Sequence, residues 1–470
     1  MNWIRCFCCA FCFFSSMPVP ANEPLRAADN GCAIAPQVPN VPRGIRTIGP
    51  GGSSDDTSRI QDALNHLQPG DALAFLPGIY EIGKHLTVGI SGVTLFGTGA
   101  TLHATNRSDG ALVIQGDNVA VYGFTITQDS LGRLGTPWAG GISIYDDRGG
   151  GRRRVQGVTI QNNVVNNSSA AGIFLYKASK FTVANNRVYR SWADGIHMTA
   201  GSRGGRVIHN AVVQTGDDMI AVVSYAGARG NAPAALRYKN LPDRADELDR
   251  NIYIAENDVS DQYWGRGITV VGGSDVTIER NRISRTATGA GIYIARETSY
   301  ASFGVHNILI AGNAISQVQT NAPTYMPPGF NPSLTHHGAI EILAQMTEDE
   351  LSDPVFREAF SVSDIALAGN HVQEARFAGI TLKSSSAGNP ISRVMIDQNS
   401  LVKVGSNHVI ADYSGYTPLS VSCTDNSLDG EKFASQCDKS VPAISGQYSV
   451  SGASLTCSAG EITGADVRLR

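Results

Sequence analysis

The most regular feature of this sequence is a short apolar segment that returns about every 23 or 24 residues and precedes an asparagine. In each copy, β-branched residues alternate with polar ones, as in Val158-Thr159-Ile160 before Asn163 and Phe181-Thr182-Val183 before Asn186. Alternation with a period of two predicts a strand with one buried face. The fixed spacing from Asn163 through Asn186 to Asn210, 23 and then 24 residues, indicates a repeat architecture.

This repeat predicts an all-β fold, a single-stranded parallel β-helix. The units carry no long helical pattern, which argues against leucine-rich and helical repeats. If each coil pairs with the next at ~4.8 Å, the apolar positions stack into interior columns. The turn asparagines, which tolerate the left-handed conformation, would then stack into a hydrogen-bonded ladder. An antiparallel sandwich is the alternative, and it would explain the strands but not the in-register asparagines.

The pattern divides the chain into four segments. Residues 1–21 combine one positive charge, a short apolar core and a small-residue end, so we expect an export signal and a secreted or periplasmic protein. Residues 22–92 form a leader and an N-terminal module, whose amphipathic helix at 58–67 would cap the solenoid, with Asp56 or Thr57 as its N-cap. The repeats occupy 93–416. The Ser/Gly-rich tail at 417–470 would cap the other end.

Cysteine usage agrees with export. Four of the eight cysteines lie in the signal, and lipid attachment to one of them is an alternative, although the usual leucine-small-small-cysteine pattern is missing. The remaining four, Cys32, Cys423, Cys437 and Cys457, predict two disulfides in an oxidising compartment. Four cysteines allow three pairings, and the sequence does not choose among them. A zinc site is the competing interpretation, opposed by the wide spacing.

Charge excludes one class of partner. The net charge is −4 and only 17% of residues are charged, whereas nucleic-acid binding usually needs a concentrated basic face. No stretch beyond the signal approaches membrane length, so we expect no membrane insertion. No dimer signal is visible, and capped ends predict a monomer. Three insertions at 226–250, 319–337 and 344–360 interrupt the period and are expected to form binding walls.

The deviations from the repeat predict the reaction site. Alternation makes two adjacent outward columns in the Gly-Ile-x-Ile-type strands, and these collect Asp194, His197, Asp218, Arg266, Tyr293 and Glu341. Asp217 adds an acid beside Asp218, and Arg296 ends the strand of Tyr293. Hydrolysis of a glycosidic bond needs one protonated acid and one ionised carboxylate. Crowded carboxylates provide both, because like charges raise the pKa of one member.

Two of these motifs resemble a known family. Asp194-Gly195-Ile196, followed by Gly216-Asp217-Asp218-Met219-Ile220-Ala221-Val222, is similar to the aspartate motifs of the polygalacturonase family of glycoside hydrolases. The resemblance implies the right-handed β-helix of the pectate-lyase-like superfamily. It also implies that Asp194, Asp217 and Asp218 act as acid and water-activating base. The histidine and Arg-Lys elements of that family fall at Arg266 and Tyr293-Ile294-Ala295, which puts galacturonate in question as the substrate.

Three functions follow as hypotheses. The first is a polysaccharide hydrolase without a cofactor, in which Asp217 or Asp218 is the acid and the other acids activate water. In it the substrate would contact His197, Arg266, Tyr293, Arg296 and Glu341. The second is a polysaccharide lyase or epimerase, in which the acids hold Ca²⁺ and Arg266 is the base. The third is a non-catalytic carbohydrate-binding or adhesin module, which the clustered acids oppose.

Overall fold

A computed structural model describes most of residues 42–432; outside the description lie 1–41, 53, 149–150, 152, 229–232, 385–390, 406–418 and 433–470. The predicted export signal and Cys32, Cys437 and Cys457 therefore fall outside the described residues. Cys423 lies on the described strand Leu419–Thr424. Whether the tail carries two disulfides stays a prediction.

The described residues form a solenoid of three parallel sheets, and the chain visits the sheets in a fixed order, coil after coil. The sheet that carries the candidate site, called the site sheet below, has ten strands: Leu86–Val88, Leu112–Ile114, Ile142–Ile144, Ile173–Tyr176, Ile196–Thr199, Ile220–Val223, Ile268–Val271, Ile292–Arg296, Ile340–Ala344 and Ile380–Ser384. Every neighbouring pair in it is parallel.

Two further sheets complete each coil. The second sheet contains Gly44–Ile48, Asp71–Phe75, Thr94–Phe96, Ala120–Tyr122, Val155–Gln156, Thr159–Gln161, Ala178–Ser179, Thr182–Ala184, Arg203–Ile208, Arg250–Ala255, Gly273–Glu279, Val305–Ala311, Val362–Ala368, Ile391–Asp397 and Leu419–Thr424. The third sheet contains Gly78–Ile82, Ala100–Ala104, Thr125–Gln128, Val164–Asn166, Arg187–Tyr189, Ala211–Val213, Asp258–Ser260, Arg282–Ser284, Ala314–Val318, His371–Ala375, Ser400–Val404, Ser427–Leu428 and Glu431–Lys432. The last two strands form an antiparallel pair.

The core consists of the predicted interior columns. One column of the site sheet stacks isoleucines through six successive coils, from Ile196 to Ile380, and each is fully buried. Burying one such side chain contributes about 1.5–3 kcal/mol relative to leaving it exposed. The register is therefore strongly specified, because a slip by one residue would turn a whole apolar column outward.

The predicted asparagine ladder is also present. In each step the side-chain Oδ1 of one asparagine accepts from the backbone N–H and the Nδ2 of the asparagine in the preceding coil, as between Asn210 and Asn186 at 2.9 and 3.0 Å. The ladder members are Asn163, Asn186, Asn210, Asn257, Asn281, Asn313, Asn370, Asn399 and Asn426. One expectation is wrong: the left-handed conformation belongs to the residue before the ladder asparagine, such as Asn185 or His209.

The described ends of the solenoid differ from the predicted boundaries. Stacked strands begin before residue 93 and continue beyond 416, and Asn426 extends the ladder into the predicted tail. The N-terminal helix spans Thr57–Asn65 and buries Ile60 and Leu64 against the core. Asp56 precedes the helix, but its carboxylate binds the backbone N–H of Gly51 and the side chain of Arg59 instead of capping the helix.

Two of the predicted insertions, 226–250 and 344–360, carry all four of the remaining helices among the described residues. These are Ala234–Arg237, the 3₁₀ helix Pro242–Glu247, Glu348–Ser352 and Pro354–Ala359. Tyr238 and Phe360, one from each of two insertions, pack on each other with ring centroids 4.6 Å apart. These two insertions thus fold onto one another beside the site sheet. Among the described residues, no helix is long and apolar enough to cross a membrane.

Candidate active site

The register of the site sheet agrees with the predicted outward column. Phe174, His197, Ala221, Thr269 and Tyr293 follow one another as paired residues on successive strands. Glu341 and Thr381 continue this column. The neighbouring column is held by backbone hydrogen bonds that run between the turns before these strands, from Gly172 to Asp194, from Gly195 to Asp218 and from Met219 to Arg266.

Three aspartates converge at this point. Asp194 and Asp218 are buried and Asp217 is partly exposed, and one carboxylate oxygen from each lies within 4.8 Å of the others. Gly265 makes this approach possible. It has a φ of +82°, and a Cβ there would lie 2.5 Å from the backbone nitrogen of Asp218 and 2.8 Å from Oδ1 of Asp217. A side chain at position 265 would therefore push the aspartate pair out of place.

The environment drives the pKa values of the three carboxyls apart. Burial raises the pKa of Asp218 to about 7, since the charges of Asp217 and Asp194 add to burial and outweigh Arg266. Burial and the charge of Asp194 also raise the pKa of Asp217 against the opposing effect of Arg133. Burial alone would raise the pKa of Asp194, but His197 and Arg133 outweigh it and lower the pKa. Protonated and ionised carboxyls thus coexist near neutral pH.

His197 explains why Asp194 is the ionised member. Its Nδ1 lies 2.9 Å from Oδ2 of Asp194, and its ring stacks on Phe174 with centroids 5.4 Å apart. The stacking fixes the ring plane, and the hydrogen bond fixes which ring nitrogen faces the carboxylate. The sequence placed His197 among substrate contacts, and the structure gives it a position in the cavity wall and a bond to a catalytic candidate.

Arg266 connects the aspartates to a second acid. Its backbone N–H donates to Oδ1 of Asp218 at 2.8 Å, and its Nη2 donates to Oε1 of Glu297 at 2.7 Å. Its guanidinium lies 4.0 Å above the ring of Tyr293, whose hydroxyl also donates to Glu297. Burial alone would lower the pKa of Arg266, but Asp218, Tyr293 and Glu297 raise it well above its ordinary value. The role of base predicted for Arg266 in a lyase does not fit this environment.

A cavity of about 690 Å³ opens above the aspartates. Its lining includes Arg133, Phe174, Tyr176, Trp264, Tyr300, Arg244, Glu247 and Glu297, together with Asp194, His197, Asp217, Asp218 and Arg266. Each arginine in this lining faces a carboxylate of the same lining: Arg133 faces Asp217, Arg244 faces Glu247, and Arg266 faces Asp218 and Glu297. The lining therefore has five carboxylates against three guanidinium groups.

Several of these residues were not predicted. Arg133 comes from the loop between Thr125–Gln128 and Ile142–Ile144, and its Nη1 donates to Oδ2 of Asp217 at 2.6 Å. The available signal was the lengthened spacing between Leu112 and Ile142, which exceeds the usual period and marks an insertion. Trp264 and Glu297 lie in loops next to site-sheet strands, where the repeat pattern carries no information about direction.

Three predicted substrate contacts lie outside the cavity lining. Arg296 is fully buried, its Nη1 lies 2.9 Å from Oε2 of Glu350, and its Nη2 donates to the hydroxyl of Tyr238. Glu341 is buried and accepts from the backbone N–H of Gly338. Tyr293 is buried beneath Arg266. The prediction that Arg296 and Glu341 contact substrate is wrong, because the insertions cover this end of the outward column.

The three aspartates are also a chemically suitable set for a cation. Carboxylate oxygens are the ligands that Ca²⁺ prefers, and the spacing of at most 4.8 Å allows three of them to approach one ion. The predicted dependence on calcium thus stays a prediction tied to the lyase hypothesis. The hydrolase hypothesis assigns the same three groups to proton transfer.

Comparison with known proteins agrees with the architecture. Residues 105–231 match a family model described as a right handed beta helix region. The comparison with curated proteins finds no match.

Among solved structures, the chain is similar to the catalytic domain of a GH87 α-1,3-glucanase variant in complex with tetrasaccharides, with 16% identity and a TM-score of 0.56, over 82% of this chain and 66% of that one. It is also similar to the catalytic unit of the GH87 α-1,3-glucanase of Streptomyces thermodiastaticus strain HF3-3, with 18% identity and a TM-score of 0.55, over 83% of this chain and 68% of that one. The chain spans slightly less than two thirds of the first of these structures. At this identity the likeness concerns the fold, a right-handed parallel β-helix.

Proposed function

We propose that the protein hydrolyses glycosidic bonds of a neutral polysaccharide. The observation that carries this proposal is the convergence of Asp194, Asp217 and Asp218 within 4.8 Å at a cavity, with opposite pKa shifts. Acid-assisted departure of a sugar hydroxyl needs a protonated carboxyl, and attack by water needs an ionised one. The cavity supplies both from groups on two adjacent coils.

In this mechanism the Asp217–Asp218 pair supplies the proton. Both members have raised pKa values, and closely interacting carboxyls titrate as a unit, so the proton belongs to the pair. Asp194, held ionised by His197, orients and deprotonates the attacking water. Arg133 and Arg266 flank the pair and limit how far burial raises its pKa, so that it can release the proton near neutral pH.

The charge of the cavity favours a neutral sugar. All three lining arginines face lining carboxylates, and with one proton on the Asp217–Asp218 pair the four ionised carboxylates still outnumber them, so a uronate would meet net negative charge. This supports a substrate different from that of the polygalacturonases. Aromatic side chains in the lining, among them the exposed Trp264, offer apolar faces for sugar rings.

The spacing of the aspartates supports the same proposal. Three solved variants of the GH87 α-1,3-glucanase catalytic domain, bound to nigerose or tetrasaccharides, replace by alanine two adjacent aspartates and a third one 23 residues before the first of the pair. Asp194, Asp217 and Asp218 have this same spacing. An α-1,3-linked glucan is therefore the first substrate to test.

The test incubates the purified protein with α-1,3-glucan, other neutral polysaccharides and polygalacturonate, with and without EDTA. New reducing ends from a neutral polymer, unaffected by EDTA and accompanied by no ultraviolet absorbance, are the expected result. An Asp194→Asn variant should release none, whereas Asp258→Asn, which alters an aspartate on the third sheet, should match the unaltered protein. Cleavage of polygalacturonate in preference to neutral polymers would overturn the choice of sugar.

A calcium-dependent lyase or epimerase is the second candidate, and the oxygen cluster of the aspartates is what favours it. It would produce unsaturated ends that absorb ultraviolet light, or epimerised units without chain cleavage, and EDTA would abolish either activity. Binding of polysaccharide without any reaction would instead favour the carbohydrate-binding module.

We also propose, from the sequence, that the protein is exported, acts as a monomer and carries closures at both solenoid ends. The helix Thr57–Asn65 packs on the core beside the first coils, as expected of an N-terminal closure. Size-exclusion chromatography coupled to light scattering, and localisation of the expressed full-length chain, test these statements.

A further inference from the structure

A second cavity, of about 410 Å³, lies on the site sheet toward the N-terminus; we call it the N-terminal cavity. Val113 at its base belongs to the same outward column as His197, since Val113 pairs with Ser143, Ser143 with Phe174, and Phe174 with His197. Three strand spacings separate the two positions, a distance of roughly 14 Å. Both cavities thus open on one face of one sheet.

A row of ring side chains connects the two cavities; we call it the aromatic row. From the N-terminal cavity it runs through Trp138 and Tyr145, with centroids 6.0 Å apart, to Tyr176 at 5.3 Å from Tyr145. It continues to Phe174 at 6.3 Å from Tyr176, and Phe174 stacks on His197 in the catalytic cavity. The members of the row before His197 are half-buried, so each keeps part of its surface open.

The N-terminal cavity also carries directional polar groups. His85 binds Asp109 through its Nδ1 at 2.7 Å and its backbone N–H at 3.1 Å, and Gln115 donates to Asp147 at 2.7 Å. The exposed Asn106 and Ser108 also belong to the lining. A sugar ring has apolar faces and hydroxyl groups at its edge. A site with apolar side chains and a few fixed donors and acceptors is complementary to such a ring.

The chain is shaped to hold this arrangement. Gly110 lies against the loop that carries Trp138, and a Cβ on Gly110 would approach the carbonyl oxygen of Trp138 to 1.9 Å. Any side chain at position 110 would therefore displace the loop and the indole with it. The absence of a side chain at Gly110 thus allows the loop to approach closely, with Trp138 beside Tyr145.

We propose that the N-terminal cavity and the aromatic row bind the same polysaccharide chain whose bond is cleaved at the aspartates. Successive neutral sugar units lie along the row on the N-terminal side of the cleavage point, and the N-terminal cavity receives a unit remote from the reacting bond. This inference rests on the proposed function for the identity of the polymer. Binding energy gained far from the reacting bond then contributes to turnover of long chains only.

The test compares Trp138→Ala with the unaltered protein on two substrates, soluble α-1,3-glucan polymer and a nitrophenyl glycoside of the disaccharide nigerose. The disaccharide is too short to reach the N-terminal cavity. We expect kcat/KM on the polymer to fall about ten-fold, the effect of losing one stacking contact, and kcat/KM on the disaccharide to stay unchanged. Trp138→Tyr should restore most of the loss, because it keeps an aromatic face.

A matched control separates stacking from stability. Tyr122 stacks on Phe96 on the second sheet at 5.7 Å, so Tyr122→Ala removes a similar surface ring away from both cavities. Tyr122→Ala should leave both rates unchanged. Equal losses on both substrates in Trp138→Ala, or no loss on either, would overturn the inference while leaving the hydrolase proposal intact.

The inference can also be tested if the protein proves not to be a hydrolase. If no polymer is cleaved, calorimetry with α-1,3-glucan oligosaccharides measures binding directly in the unaltered protein and in Trp138→Ala. Weaker binding in Trp138→Ala than in Tyr122→Ala supports the aromatic row as a polysaccharide site. Equal binding in the two variants, or no binding by the unaltered protein, refutes it.

Discussion

Two columns of the same coils show how this molecule separates stability from chemistry. In the asparagine ladder each coil repeats one residue, and each amide satisfies the next, as Asn210 does between Asn186 and Asn257. In the site column the residue changes from coil to coil, from Ala171 through Asp194 and Asp218 to Arg266. There the carboxyls are crowded and their pKa values shifted. The repeated column stabilises the solenoid, and the varied column holds reactive groups in fixed positions.

The substitution with the largest expected effect removes a carboxyl group from the varied column. Asp218→Asn removes a proton donor of the Asp217–Asp218 pair, so we expect kcat to fall about a thousand-fold with the fold unchanged. Initial rates on the polysaccharide, together with circular dichroism, measure this. Asp258→Asn on the third sheet is the matched control and should retain full activity. A variant of Asp218 that keeps normal turnover would remove this residue from the proposed mechanism.

A substrate with an activated leaving group can show which aspartate is the proton donor. A glycosyl fluoride needs little protonation, so the variant of the true donor should recover much of its rate on that substrate. We expect recovery in Asp217→Asn or Asp218→Asn and none in Asp194→Asn. Recovery in Asp194→Asn alone would reverse the proposed assignment of acid and base.

The substitution with the next largest expected effect removes one asparagine from the repeated column. Asn210→Ala removes hydrogen bonds from Nδ2 to the carbonyls of Val183 and Ile208 and leaves the N–H of Asn186 without its side-chain acceptor. We expect a loss of about 3 kcal/mol in the free energy of unfolding, because buried polar groups lose their partners. Activity per folded molecule should persist. Denaturant titration measures the loss, with the exposed Asn321→Ala as the control; equal stability of the two variants would contradict it.

A smaller effect sharpens the electrostatic part of the comparison. Glu297 accepts from Arg266 and Tyr293, so Glu297→Gln removes a negative charge beside the arginine. Arg266 then acts more strongly on Asp218 and lowers its pKa, which moves the alkaline limb of the pH–rate profile to lower pH. We expect about a ten-fold loss of kcat.

The control for this substitution has the same chemistry in another sheet. Glu279 accepts from Tyr253 and contacts Arg280 on the second sheet, so Glu279→Gln removes a similarly partnered acid. It should leave the pH–rate profile in place. An unshifted profile in Glu297→Gln would show that Arg266 does not set the pKa of Asp218.

The comparison also shows what sequence can reveal. The period predicted the ladder and the outward column, because stacking forces residues at equal positions of successive coils together. It failed for Arg296 and Glu341, since alternation tells which face a side chain occupies and says nothing about the loop above it. It also missed Arg133, whose loop contributes to the site only through tertiary folding.

The last expected effect concerns stability and pH. Burial raises the pKa of Asp218 to about 7 in the folded protein, above the ordinary value of 3.8. The folded state therefore holds a proton that the unfolded chain releases, so folding becomes less favourable as pH rises from about 4 to about 7. Asp218→Asn removes this penalty. Its stability should exceed that of the unaltered protein at pH 7 and approach it near pH 4, as measured by thermal unfolding across pH. A stability difference independent of pH would mean that Asp218 is ionised in the folded state, and the proton for the leaving oxygen would then have to come from Asp217.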